Sequence, residues 1–414
     1  MKILIITSNL PPYLDANSAI SYRIVQELHQ THKQEIVVLG LRAAPEKETL
    51  LSADYQIRSI DGQYQYTGLV PAHFSKIHKL IRVLSHPVIW PMFLRYNFLR
   101  HPLCGLYKKR IRQILEEIPD IDCIIAVSEP VDIPCAVTKL HPNIPWVSYR
   151  LDPWATHYLR SDSKTKTEEG AANQSCSAIF VQPAVYQEYL SGTAALPPDK
   201  VHAAEFPNLY PLPKPEEPAV HWERDKIHCA YVGQLYPDIR DPAFMLDLFS
   251  AMREAGIVLH IIGNRTVEAQ YWQDKISDNI VLHGRVSYEK AVMHMQAADI
   301  LVNLGNLVSN QMPSKVIDYL STGKPILNIY KVRQCPTLLY MEKHPAALSI
   351  YEGTGLDTDC IHQVSDFCRS HQGYVVPYGE METIYKECTP AYVGRQVYDV
   401  LCNICSKTSG GLEE

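Results

Sequence analysis

Two series of short, nearly continuous apolar runs, each run followed by a helical pattern, limit what this chain can fold into. In the first series the runs fall at 2–7, 35–39, 123–127, 146–150 and 178–181, with helical periodicity at 17–30 and 133–140. The second restarts after a gap, with runs at 227–232, 258–262, 280–282, 300–303 and 325–329 and helical patterns at 242–255, 287–297 and 313–322. Strands that read as unbroken apolar runs are buried on both faces, as in parallel sheets, and parallel neighbours need crossovers that are usually helices. Strand and helix in alternation therefore predict an α/β fold with doubly wound sheets.

The gap between the series, Pro207-Asn208-Leu209-Tyr210-Pro211-Leu212-Pro213-Lys214-Pro215, reads as a linker because proline punctuates regular structure. The chain of 414 residues is also long for a single domain of ~150. The reading is a Rossmann-like domain over 1–206, a second over 207–390, and a last helical pattern in 391–414 that packs on the surface or crosses back to the first domain. In such sheets ligands bind at the carboxyl ends of the strands, here expected to face a central cleft.

Composition removes several classes. With 46% hydrophobic and 20% charged residues the chain is neither disordered nor fibrous. No apolar stretch reaches 18 residues, and the start lacks a signal-peptide pattern, so a cytoplasmic protein is expected. Eleven scattered cysteines suit reduced core thiols, and the lone Cys402–Cys405 pair suits packing better than zinc or redox chemistry.

The net charge of −6 hides an uneven distribution, because 63–115 contains nine Lys and Arg and no Asp or Glu. Phe74, Trp90, Phe93, Tyr96 and Phe98 lie among those charges. Such a stretch is read either as a peripheral contact with an anionic membrane or lipid-diphosphate acceptor, or as amphipathic helices packed on the first sheet. Nucleic acid is not an expected partner, since the chain is acidic overall and carries none of the usual modules.

Four segments of the second series place chemistry at strand ends. Gly233-Gln234 follows the first strand, with Arg240 before a helix that Asp241 and Pro242 open. Gly263 ends the next strand, and Gly284-Arg285-Val286 the third. The fourth, Met312-Pro313-Ser314-Lys315-Val316-Ile317-Asp318, puts a proline and a lysine at a helix entrance, where amide groups and the helix dipole favour phosphate. Asp318 lies one turn on, on the same face as Lys315, and Gly323 reads as the helix C-cap. An ordinary strand, turn and helix explains each of the first three segments equally well. Asp357-Thr358-Asp359 spells a DxD, read as a solvated loop or a helix start.

On these residues the chain resembles the retaining glycosyltransferases of GT-B architecture, in particular the family 4-like group. The resemblance rests on YVGQLYPDIRDP, LHIIGN, LHGRV, AADILVNL and PSKVIDYLSTGKPI in the second domain. The first domain is similar more loosely, through ILIITSNLPPY, AVSEP and IPWVSYRLDPW. It implies a nucleotide-sugar donor and a glycan or lipid-linked acceptor, with no metal or other cofactor. Gln234 and Arg240 would stand at the donor diphosphate, Ser314 and Lys315 would complete that site, Asp318 would bind ribose, and Arg285 and Val286 would flank the base. Gly233 would allow the backbone to approach. Asp152 and Trp154 of the DPW segment, Glu129, and Asp15 and Asn17 of the first loop would face donor sugar or acceptor.

The sequence departs from that family at three places. Asn310 stands where the first acid of the E-x7-E motif would be, Leu14-Asp15-Ala16-Asn17 replaces the glycine pair after the first strand, and Arg150 precedes DPW by one residue more than usual. Asn310, Arg240 and Asp152 are the candidate catalytic residues. A nucleotide-sugar epimerase of the same architecture and a non-catalytic binding or scaffold relative are the rival readings.

Overall fold

The computed structural model describes residues 1–8, 16–40, 56–59, 100–101, 103–128, 130–154, 162–191, 196–213, 220, 222–223, 225–235, 239–263 and 272–409. Asp15 and Glu129 lie outside these residues, as do the side chain of Asn17 and positions 63–99 and 102 of the basic stretch. The chain divides into two compact units, Met1–Pro207 with Pro390–Glu414, and Asn208–Thr389.

In unit 1 the described strands are β1 (Lys2–Ile6), β2 (Glu35–Gly40), β3 (Gln56–Ser59), β4 (Cys123–Ser128), β5 (Trp146–Arg150), β6 (Ala178–Val181) and β7 (Val201–Ala203). The helices are α1 (Ala16–Gln26), continued by a π turn at Glu27–Thr31, α2 (Cys104–Glu117), α3 (Asp132–Leu140), α4 (Ser163–Ser175) and α5 (Pro183–Ser191). The strands form one parallel sheet in the order β3-β2-β1-β4-β5-β6-β7. Ile3 to Ile6 and Cys123 to Val127 are at most 2% exposed, which is why they read as unbroken apolar runs. Asp132 fixes the start of α2, its Oδ1 accepting the Leu103 and Cys104 amides at 2.6 and 2.9 Å.

Unit 2 contains β8 (Ile227–Val232), α6 (Ala243–Ala251), β9 (Ile257–Ile262), β10 (Ile280–Gly284), α7 (Tyr288–Ala297), β11 (Ile300–Leu304), α8 (Lys315–Leu320), β12 (Ile326–Tyr330), α9 (Leu338–Met341), β13 (Ala347–Tyr351), α10 (Thr358–Ser370) and α11 (Tyr378–Ile384). Its parallel sheet runs β10-β9-β8-β11-β12-β13. The final helix, α12 (Pro390–Ser409), belongs to unit 1, where Tyr398 stacks on His32 and Gly394 lies so close to Glu27 that an added Cβ would sit 2.6 Å from its Cβ.

Both sheets are doubly wound: strand order reverses beside β1 and β4 in unit 1 and beside β8 and β11 in unit 2. In open α/β sheets that reversal point opens a crevice for ligands at the carboxyl ends. Gly263 shows how closely backbone packs there, since a Cβ on it would lie 1.9 Å from the Gly233 carbonyl oxygen.

Two expectations change, and the described part of the basic stretch agrees with one of its two readings. The helix expected at 313–322 is shorter, Lys315–Leu320, because the Val316 and Ile317 amides bond back to Pro313 and Ser314 in tight turns and Thr322 and Gly323 close the far end similarly. Strands β3, β7 and β13 add to the sheets beyond those expected. The basic stretch is no uniform charged surface in its described part: Arg100 pairs with Asp162 at 2.8 Å and Glu168 at 3.1 Å, and Tyr107, Ile111 and Ile114 of α2 are buried. Asp357 is a helix cap, its side chain accepting the Cys360 amide.

Candidate functional site

The reversal point of unit 2 gathers most of the candidates. Strand β8 ends at Val232, whose N–H donates to the Tyr319 hydroxyl at 2.8 Å, and that hydroxyl donates in turn to the Val232 carbonyl at 3.2 Å. Tyr319 lies on α8, so the strand end and the helix that begins at Lys315 are pinned together. Gly233 follows, its amide donating to Ile262 O at 2.9 Å.

Arg240 is held over the same edge. Its Nε and Nη2 donate to Asn306 Oδ1 at 3.0 and 2.8 Å, and Nη1 reaches Gln234 O at 3.5 Å. Asn306 follows β11 and is itself braced, its Nδ2 donating to Gln311 O at 3.0 Å. Among the described residues the acceptors of this guanidinium are neutral, which leaves it available to an anion.

Lys315 donates to Asp318 Oδ2 at 2.8 Å and lies 5.2 Å from the centre of the Tyr288 ring. Asp318 is only 4% exposed, and its Oδ1 accepts from Asn208 Nδ2 at 3.2 Å. The structure thus places Asp318 as the anchor of Lys315, with both oxygens in use. Gln234 and Arg285 are exposed, while Gly233, Val286, Asn310 and Ser314 are partly buried; Ser287, next to Val286, caps α7.

In unit 1 Asp152 is partly buried and Trp154 is 1% exposed. Arg150 turns inward: its guanidinium donates to Ser148 Oγ at 3.2 Å, Glu169 Oε1 at 2.6 Å and Tyr189 Oη at 2.8 Å, and also to Asn173 Oδ1. It lies 5.2 Å from the centre of the Trp154 ring.

Sequence reasoning missed two sets of residues. Asn306 and Tyr288 position the two cations, and the only local signal is an asparagine directly after Gly305 at a strand end. Thr7 Oγ1, Ser8 Oγ, Gln182 Oε1 and Trp154 Nε1 are buried without a hydrogen-bond partner among the described residues. Thr7 and Ser8 follow β1, Gln182 follows β6 and Trp154 follows β5, so these four unsatisfied groups lie just past the carboxyl ends of strands. Buried polar atoms in folded proteins nearly always have partners, which makes the grouping informative.

No protein-family profile matches the chain, and no curated protein matches it. Solved structures do. The chain is similar to sucrose-phosphate synthase from Thermosynechococcus elongatus, at 11% identity over 98% of this chain and 99% of that one, with a TM-score of 0.68. It is similar to Anabaena HepE in complex with UDP and glucose, at 12% identity over 100% and 99%, TM-score 0.57. It is also similar to UDP-GlcNAc 2-epimerase from Neisseria meningitidis bound to UDP-GlcNAc, at 13% identity over 97% and 100%, TM-score 0.55. What the chain shares with these proteins is architecture: two Rossmann-like domains, the GT-B fold.

Proposed function

We propose that the protein is a glycosyltransferase that moves a sugar from a nucleotide-sugar to an acceptor hydroxyl of a glycan or lipid-linked intermediate, with retention and without a metal. The observation that carries this reading is the pair of anchored cations, Arg240 and Lys315, on elements pinned to the carboxyl end of β8. A departing nucleoside diphosphate gains negative charge, and preorganised cations stabilise it where it forms.

Lys315 and Asp318 act together in this reading. The donor diphosphate draws the Lys315 ammonium away, which frees Asp318 Oδ2 to accept from a ribose hydroxyl. Gln234, Ser314, Arg285 and Val286 complete the donor side, and Asn310 bonds the sugar hydroxyls. The Thr7, Ser8 and Trp154 groups, unpartnered among the described residues, support an acceptor or sugar role for unit 1, since hydroxyls satisfy both donors and acceptors; Asp152, Asp15, Asn17 and Glu129 share that role in this reading.

Lys315→Ala and Arg240→Ala are each expected to weaken uridine diphosphate binding by about 1.5–3 kcal/mol, the range for a hydrogen bond to a charged group, roughly 10- to 150-fold. Isothermal calorimetry reads this directly, and unchanged affinity in both variants removes the placement.

The epimerase reading has support of its own, because an epimerase is among the similar structures. Incubation with UDP-hexoses separates the readings. Transfer or slow hydrolysis supports the transferase, appearance of the epimer supports the isomerase, and absence of nucleotide binding leaves a scaffold.

A further inference from the structure

The last helix carries a motif that the proposed chemistry leaves aside, Cys402 and Cys405 in CxxC spacing. The structure separates the two. Val393, Val397 and Leu401 recur every four residues along α12 and are 0% exposed, so they mark the stripe that packs into unit 1. Cys405 is the next residue of that stripe. It is partly buried, and its thiol lies in hydrogen-bond contact with the thiol of Cys123, the first residue of β4. Cys402 faces another way, its thiol meeting the Tyr398 hydroxyl one turn earlier on the helix.

Both sides of the Cys123–Cys405 contact are held in place. Cys123 is fully buried and pairs in register with Ile3 of β1, and the neighbouring Asp122 accepts the Lys2 amide at 2.7 Å. On the other side α12 is seated by Tyr398, whose ring centre lies 4.3 Å from that of His32, and by Gln396, which donates to the Ala203 carbonyl at 2.7 Å. A buried thiol on a strand thus meets a partly exposed thiol on a helix. A zinc site needs three or four ligands, and among the described residues no group of three or more His, Cys, Asp or Glu could hold a metal ion.

We propose that Cys123 and Cys405 are a peroxide-sensitive pair, in which Cys405 is oxidised first and Cys123 closes the disulfide, fastening α12 to β4. The Cys405 sulfur, as thiolate, attacks one oxygen of hydrogen peroxide. An S–O bond forms, the O–O bond breaks, and the departing hydroxide takes up the proton that the thiol gave up, leaving as water. The Cys123 sulfur then attacks the Cys405 sulfur; the S–S bond forms, the S–O bond breaks, and the second hydroxide carries off the Cys123 proton as water. Two thiols lose two electrons in all, and one peroxide becomes two waters.

Access and hydrogen bonding assign the two roles. Solvent reaches Cys405 and not Cys123. The thiolate is the reactive form, and the hydrogen bond from Cys123 holds Cys405 lower than an ordinary thiol, while the same bond, with burial, holds Cys123 higher. Unit 2 supplies the contrast. Cys229 on β8 and Cys368 on α10 bring their sulfurs to 3.9 Å, but both are fully buried, and burial pushes the Cys229 thiol up. That pair is expected to stay reduced, since closeness without access leaves a thiol inert. A Cys123–Cys405 bond would close a loop that contains all of Asn208–Thr389, and such a cross-link takes freedom from the unfolded chain.

The test is titration of the reduced full chain with hydrogen peroxide, followed by alkylation in denaturant, digestion and mass spectrometry. The expected product is the Cys123 peptide joined to the Cys405 peptide, with Cys229 and Cys368 alkylated as thiols. In Cys123→Ser the Cys405 sulfenic acid should accumulate and be trapped by dimedone; in Cys405→Ser the cross-link should vanish. If either variant does not fold, the product from the native chain decides. The oxidised native chain should also unfold at a higher urea concentration than the reduced one, and dithiothreitol should restore the lower value. Absence of the Cys123–Cys405 cross-link, a Cys402–Cys405 disulfide in its place, or oxidation of Cys229 and Cys368 ahead of it overturns the pair. Cross-linking with an unchanged urea midpoint overturns the fastening of α12.

Discussion

Arg150→Ala is expected to destabilise unit 1 by about 3–5 kcal/mol, the range for removing one partner of a buried ion pair. Arg150 is 2% exposed, and four side chains accept from its guanidinium: Ser148, Glu169, Tyr189 and Asn173. Without it, Glu169 loses its ion-pair partner with most of its solvation gone, and Asn173 Oδ1 loses a donor in the interior. The stacked faces of Trp154 and Tyr189, each within 5.2 Å of the guanidinium carbon, lose packing as well. Urea denaturation followed by the circular dichroism of the full chain measures the loss. Adding Glu169→Gln to Arg150→Met should recover part of it, because the charge left without its cation is then gone. A loss under about 1 kcal/mol in Arg150→Ala would mean that the network is solvated and that this account of unit 1 is wrong.

Gly323→Ala is expected to cost unit 2 about 2–4 kcal/mol, from two separable causes. The residue has φ of +65°, a conformation that disfavours any Cβ, and that Cβ would lie 2.0 Å from the Val376 carbonyl oxygen. The contact cannot relax cheaply, since the Val376 amide also donates to the Gly323 carbonyl at 2.8 Å. Gly373 separates the causes: its φ is +72°, but a Cβ there meets nothing within 4 Å. Gly373→Ala should therefore show only the conformational part, about 1–2 kcal/mol. Equal losses at the two positions would place the whole effect in backbone conformation and remove the close approach at Val376.

Much of the fold was readable in the sequence because parallel strands buried on both faces leave unbroken apolar runs, as in Ile227–Val232 and Trp146–Arg150, which match the observed strands residue for residue. Strand β13 escaped because Ala347–Tyr351 is an edge strand whose residues are mostly half-buried, and β3 and β7 have only four and three residues. Helix α8 was read too long, since Ser321 and Thr322 are compatible with a helix and only the turns that close on Gly323 show where it stops. Within the candidate site, Lys315 and Asp318 were readable as neighbours because they lie one helical turn apart. Their partners were not. Arg240 and Asn306 are 66 positions apart, and no local periodicity carries such a pairing. Arg150 looked like a displaced ligand residue, yet burial and its four acceptors make it part of the core; that decision depends on Glu169, Asn173 and Tyr189 converging in space. The contacts that link His228, His260 and His283 escaped for the same reason, the three rings coming from three strands with 32 and 23 positions between them.

The central claim is that a nucleoside diphosphate binds at the carboxyl ends of β8 and β11 against Arg240 and Lys315. Crystals soaked with uridine diphosphate and with guanosine diphosphate test it most directly, because they fix site and base together. The account predicts one nucleotide with its diphosphate in contact with both cations and with Lys315 drawn off Asp318. A diphosphate bound elsewhere, or neither nucleotide bound while the Lys315–Asp318 pair stays closed, would contradict it.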